Sequence, residues 1–142
     1  MIKHTLSINT NEHTAFHDIT KEIQDLISKN NIKEGIAIIR TLHTTSSICI
    51  SENEEGLIKD KINFLKLIIP EDNHYNHDTR PIPEADKYKR KNAFSHLRAL
   101  LLGSEATISV ENNKLSLGQW QSIFFVELDG PRDNRKIEVL VR

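Results

Sequence analysis

Ile2, His4, Leu6 and Ile8 stand at every second position near the start of the chain, with Lys3, Thr5 and Ser7 between them. That is the period of a strand with one buried face. A helical period follows, in which Phe16, Ile19, Ile23, Leu26 and Ile27 recur at three and four residues. Thr14 is placed to cap this helix and Asn30-Asn31 to end it. From Gly35 the chain reads Ile36-Ala37-Ile38-Ile39 and runs on through Leu42 to His43, a β-branched strand with a polar tip. A second strand is predicted from Ser46 to Ser51, carrying Ile48, Cys49 and Ile50. Ser51 and Glu54 have the spacing of a capping box, and Leu57, Ile58, Ile62, Leu65 and Ile69 give the next helix its apolar stripe until Pro70 stops it. Asn92 opens a third, shorter helix in which Phe94, Leu97, Leu100 and Leu101 are predicted to face inward until Gly103.

The C-terminal part reads as antiparallel sheet. Ala106 to Val110, the polar turn Glu111-Asn112-Asn113 and Lys114 to Leu117 form a hairpin pattern. Trp120 to Leu128 is a longer apolar strand, Asp129-Gly130-Pro131-Arg132 a tight turn, and Ile137, Val139 and Val141 a last strand. Strands outnumber helices and crowd the end of the chain, which disfavours a doubly wound fold. The order predicts an α+β domain, a sandwich of largely antiparallel β-sheets with flanking helices. Residues 70–91 break the pattern: Pro70, Pro81 and Pro83 stand among Asp, Asn, His and Arg, and a loop of that length in a compact protein implies a use.

Composition narrows the class. A length of 142 residues suits a single domain spanning 1–142. Nineteen Lys and Arg against twenty Asp and Glu leave a formal charge of −1, so nucleic acid is not the default partner. Cys49 is the only cysteine, which excludes an intrachain disulfide and fits a reducing compartment. No apolar run approaches the roughly 18 residues of a membrane span, and no small-residue cleavage site follows the first residues. The expectation is a soluble cytoplasmic protein with no membrane partner.

Seven histidines are present, and His43 at a strand end, His77 in the long loop and His96 in the third helix interrupt regular structure. A divalent cation would need such ligands to converge at about 2.0–2.2 Å from separate elements. No pair of them has HExxH or CxxC spacing, and a histidine beside Phe94 and Leu97 or in a hydroxyl-rich turn is as readily a hydrogen-bonded packing residue. Thr44, Thr45, Ser46 and Ser47 could donate to a phosphate, with Arg80 or Arg132 adding a cation. The same run also satisfies β propensity with no ligand. Glu127 lies in the apolar strand and, once buried, requires a cation, a metal or several N–H donors. Asp78 and Asp133 read as solvated ends, and Trp120 as packing a core edge or lining a pocket.

The ordered series Thr41-Leu42-His43-Thr44-Thr45-Ser46-Ser47, Ser51-Glu52-Asn53-Glu54, His77-Asp78, Ser95-His96-Leu97-Arg98-Ala99, Leu102-Gly103, Leu117-Gly118-Gln119-Trp120-Gln121 and Asp129-Gly130-Pro131-Arg132 resembles the YjbQ family, described as secondary thiamine-phosphate synthases. The likeness covers nearly the whole chain. It implies a sandwich-like α+β subunit, a homotrimer, and histidines around a bound metal, which carry over to His43, His77 and His96, with Glu127 as acidic companion. The activity implied is coupling of hydroxymethylpyrimidine diphosphate, a small phosphorylated substrate, to thiazole phosphate with release of diphosphate. Thr44, Thr45, Arg80, Arg132 and Trp120 are then the candidates for holding it. The divalent metal would be zinc by ligand type or magnesium by reaction type. Other classes are metal-assisted hydrolysis of a phosphate ester, with Glu127 or Asp78 taking the proton, and a trimeric metal or small-ligand binder without turnover. The chain departs from the family where it has Gln119 for a usual threonine and at Asn53-Glu54-Glu55.

Overall fold

The structure, a computed structural model, describes residues 1–86, 88 and 90–142. In chain order the elements are β1 (Ile2–Thr10), β2 (Ala15–Asp18), α1 (Thr20–Lys29), β3 (Glu34–Thr41), β4 (Ser46–Ser51), α2 (Glu55–Ile68), a 3-10 turn (Asn76–Thr79), α3 (Ala93–Leu102), β5 (Glu105–Glu111), β6 (Lys114–Leu115), β7 (Ser122–Glu127) and β8 (Arg132–Val141). A five-stranded sheet runs β1-β8-β3-β5-β6 and a three-stranded sheet β2-β7-β4. Every pairing is antiparallel. The α+β sandwich with flanking helices is therefore as expected.

Strand alternation explains the layers. In β7, Ile123 and Phe125 point toward the larger sheet, where they meet Ala37, Ile39, Ile137 and Val139 and the α1 residues Ile23 and Ile27. Phe124 and Val126 point the other way, onto Leu65 of α2 and Ala99 of α3. One continuous apolar strand thus feeds two cores, as a strand buried on both faces must. No helix among the described residues is long and apolar enough to cross a membrane.

Three local expectations are corrected. Phe16 belongs to β2, opposite Val126 of β7, and α1 begins only at Thr20, whose N–H and hydroxyl both donate to Asp18 Oδ1 at 2.9 and 2.6 Å. The spacing of three from Phe16 to Ile19 matches a helical period by coincidence, since Phe16 is drawn into pairing with β7 and Ile19 lies past the end of β2. Ser51 stays in β4, and Glu54 alone caps α2, accepting from Gly56 N at 2.7 Å and Leu57 N at 2.6 Å. On α3 the inward face is Ala93, Phe94, Ser95, Arg98 and Ala99, whereas Leu97, Leu100 and Leu101 are 40, 79 and 55% exposed. The fully buried Arg98 takes the inner position because it donates from Nε and Nη2 to the Ile69 carbonyl, at 3.1 and 2.8 Å, where α2 ends.

Candidate functional site

Residues 42–45 cross from β3 in one sheet to β4 in the other, so the connection is anchored from both sides. Leu42 N–H donates to the Lys136 carbonyl at 3.1 Å, the Thr41 and Ser46 hydroxyls bond at 2.5 Å, and His43 N–H reaches Thr41 Oγ1 at 3.3 Å. Beneath the connection lies a buried ion pair between the inner faces of the two sheets. Arg135 of β8 donates from Nε to Glu127 Oε2 at 2.9 Å and from Nη2 to Oε1 at 2.6 Å. Glu127 also accepts from Thr10 Oγ1 at 2.8 Å and from Leu128 and Asp129 N–H, both at 2.9 Å. Burial pushes the Glu127 carboxyl up, but the Arg135, Asp129 and Thr10 bonds outweigh it and hold it below the ordinary carboxylate value. Arg135 Nη2 also donates to Thr45 Oγ1 at 3.0 Å, tying the ion pair to the crossing connection.

Above this floor is a cavity of about 350 Å³ lined by His43, Thr44, Ser46, His96, Ala99, Leu100, Gly103 and Ser104. His43 accepts the Lys136 backbone N–H at its Nε2, at 2.8 Å. The His96 ring lies close enough to the Thr44 backbone for that group to favour its charged form, against a larger effect of burial. Both rings are held below the ordinary histidine pKa, His43 by burial and the Arg135 charge, and His96 by burial and His77. They are therefore neutral at pH 7. His77 packs edge-on against His96 with ring centroids 4.7 Å apart, and a second cavity of about 410 Å³ is bounded by both rings with Tyr75, Asn76, Ala93 and Leu97. Asp78 holds this segment to α3 by accepting the Ala93 N–H at 3.0 Å, the first amide of the helix.

The structure thus brings His43, His96 and Thr44 around one space and sets His77 against His96 on its far side. The other sequence candidates lie elsewhere. The Thr45 hydroxyl turns inward to Arg135, and Glu127 is wholly enclosed. Arg132 lies over the Tyr88 ring, 3.5 Å from its centroid, and pairs with Asp129. Trp120 is 68% exposed and lines neither cavity. Arg80 donates to the His77 carbonyl at 2.8 Å, and its charge reaches His96. Sequence reasoning missed Arg135, the Lys136 amide, and the Gly103-Ser104 wall; in the sequence, Arg135 and Lys136 stand in a charged run that reads as a turn.

A bound metal, as the resemblance implies, would need donors that His43, His77 and His96 supply together. Among the described residues no group of three or more His, Cys, Asp or Glu side chains is arranged to hold a metal ion. A neutral imidazole has one lone pair, and that of His43 already receives the Lys136 N–H. A centre using all three imidazoles does not fit this arrangement.

Residues 4–142 match the family profile described as UPF0047 protein YjbQ-like. A UPF0047 protein of Methanothermobacter thermautotrophicus is 40% identical over 96% of this chain and 88% of its own length. YugU of Bacillus subtilis, a UPF0047 protein, is 33% identical over 90% of each chain. A YbjQ-like protein of unknown function from Sulfolobus solfataricus superposes with a TM-score of 0.88 at 33% identity, covering 99% of this chain and 95% of that one.

Proposed function

The chain belongs to the UPF0047 YjbQ-like family, and from that premise we propose that it is a transferase that binds a small phosphorylated substrate in the His43–His96 cavity. The reaction that best matches is the coupling of hydroxymethylpyrimidine diphosphate to thiazole phosphate. The thiazole nitrogen forms a bond to the methylene carbon, the carbon–oxygen bond breaks, and diphosphate leaves with the bonding electron pair. Such a step needs the two fragments held in line and the developing anion met by fixed donors. The observation that carries this reading is the convergence of two neutral imidazoles, Thr44 and Ser46 on one space with an apolar wall, Ala99 and Leu100, suited to an aromatic ring. Arg80 stands near enough to act on His96 and supplies a cation for diphosphate.

The functional unit is proposed to be a homotrimer. Leu97, Leu100 and Leu101 form one exposed apolar face of α3, and Leu100 is also part of the cavity wall. A second copy seated on that face would cover the leucines and close the cavity together.

Purified protein given both phosphorylated fragments should release thiamine phosphate and diphosphate in equal amounts. His96→Ala should lower kcat/KM by about 100-fold or more. Phosphate or diphosphate released with no joined product would instead mean hydrolysis, and no turnover of either kind would remove the enzymatic reading.

A further inference from the structure

We propose that His43 works as a hydrogen-bond donor of fixed tautomer, presenting Nδ1–H to an anionic phosphate oxygen in the cavity, and that it is not a metal ligand. The inference deepens the reading of this cavity as a phosphorylated-substrate site and rests on it for the nature of the ligand. The assignment of the proton rests on geometry alone.

A backbone amide always donates, so the Nε2 atom 2.8 Å from Lys136 N must carry the lone pair. The neutral ring then has its proton on Nδ1. Placing a metal on Nδ1 would require the opposite tautomer, with Nε2–H facing Lys136 N–H, donor against donor. The backbone prevents the ring from escaping this choice. Leu42 N–H donates to the Lys136 carbonyl and His43 N–H to Thr41 Oγ1, so the residue is registered to β8 on one side and β3 on the other. A ring whose Nε2 accepts a hydrogen bond carries only one proton, so this contact by itself selects a single tautomer.

The test is long-range proton–nitrogen correlation NMR on the uniformly 15N-labelled protein at pH 7.5. His43 should show a pyrrole-type Nδ1 and a pyridine-type Nε2, and added inorganic diphosphate should shift the Nδ1 resonance. The reverse tautomer, or no response to diphosphate, overturns the proposal. In a second arm, zinc is titrated by calorimetry into wild type and His43→Ala. Equal stoichiometry is expected, and a loss of bound zinc in the variant overturns it. His43→Ala should weaken diphosphate binding by about tenfold or more, the usual effect of losing a hydrogen bond to a charged group, whereas His43→Asn, which keeps an N–H near the Nδ1 position, should restore most of it. Failure to form thiamine phosphate with the Nδ1–H signature intact would strike the transferase reading and leave this assignment standing.

Discussion

Replacing Glu127 by Gln tests the claim that the floor of the site is an ion pair and not merely a packed polar group. The substitution keeps the shape and removes the charge, so Arg135, buried beside it, loses its counter-ion and both charge-assisted bonds at 2.9 and 2.6 Å. Breaking one half of a buried pair costs about 3–5 kcal/mol because the surviving charge remains desolvated. For a domain of this size that is a fall in melting temperature of about 10–20 °C. Urea unfolding of Glu127→Gln, Arg135→Met and the double variant would measure it. The double variant should be less destabilised than the sum of the singles, with a coupling of about 2 kcal/mol or more. The pH dependence follows from the depressed carboxyl. Its contribution is complete above the unfolded carboxylate value of about 4.3 and is lost as pH falls through the lower folded value, so wild type and Glu127→Gln should converge in strong acid. A cost below about 1 kcal/mol for the single variant, or strict additivity in the cycle, would refute the reasoning.

Leu100→Asp should convert the assembly to monomers in light-scattering chromatography while leaving circular dichroism unchanged, since the side chain is 79% exposed in the subunit; a retained trimer would show that another face joins the copies. Asp78→Ala removes the acceptor of the first α3 amide and should cost about 1 kcal/mol in urea unfolding, with a larger loss of turnover because His77 is carried on the same turn. Because burial holds both cavity imidazoles below their ordinary value, the acid limb of kcat/KM should fall below pH 6.5, and a limb above pH 7 would contradict neutral rings.

The sheets were legible because burial dictates the pattern: the unbroken apolar run Ile123 to Val126 marks a strand covered on both faces, and Ile137, Val139 and Val141 recur at every second position. The face of α3 was not. Leu97, Leu100 and Leu101 have helical spacing and high hydrophobicity, which mark a buried stripe without saying whether the cover comes from this chain or another copy. Ala93, Ser95 and Ala99 lie inward with Phe94 and Arg98 because α3 approaches β4 closely, as the 2.5 Å bond from the Ser47 hydroxyl to the Gly103 carbonyl records. The site was half legible. Glu127 in an apolar strand called for a cation, a metal or several N–H donors, and Arg135 with the Leu128 and Asp129 amides supplies the first and the last. Its partner lay hidden in a charged run near a turn. His43 was identifiable as a candidate by its position at a strand end, whereas His96 lies within α3 and stood out only by residue type. Which nitrogen of His43 is free depends on a backbone amide 93 residues away, a contact that no local spacing encodes.

The crossing of residues 42–45 between the two sheets has a dynamic consequence. The amides of Leu42 and Lys136 are bonded across the β3–β8 edge of the five-stranded sheet, one to a carbonyl and one to an imidazole, so both are shielded from exchange until that edge opens. Deuterium uptake at the two amides should therefore rise together, reporting the opening of this one edge.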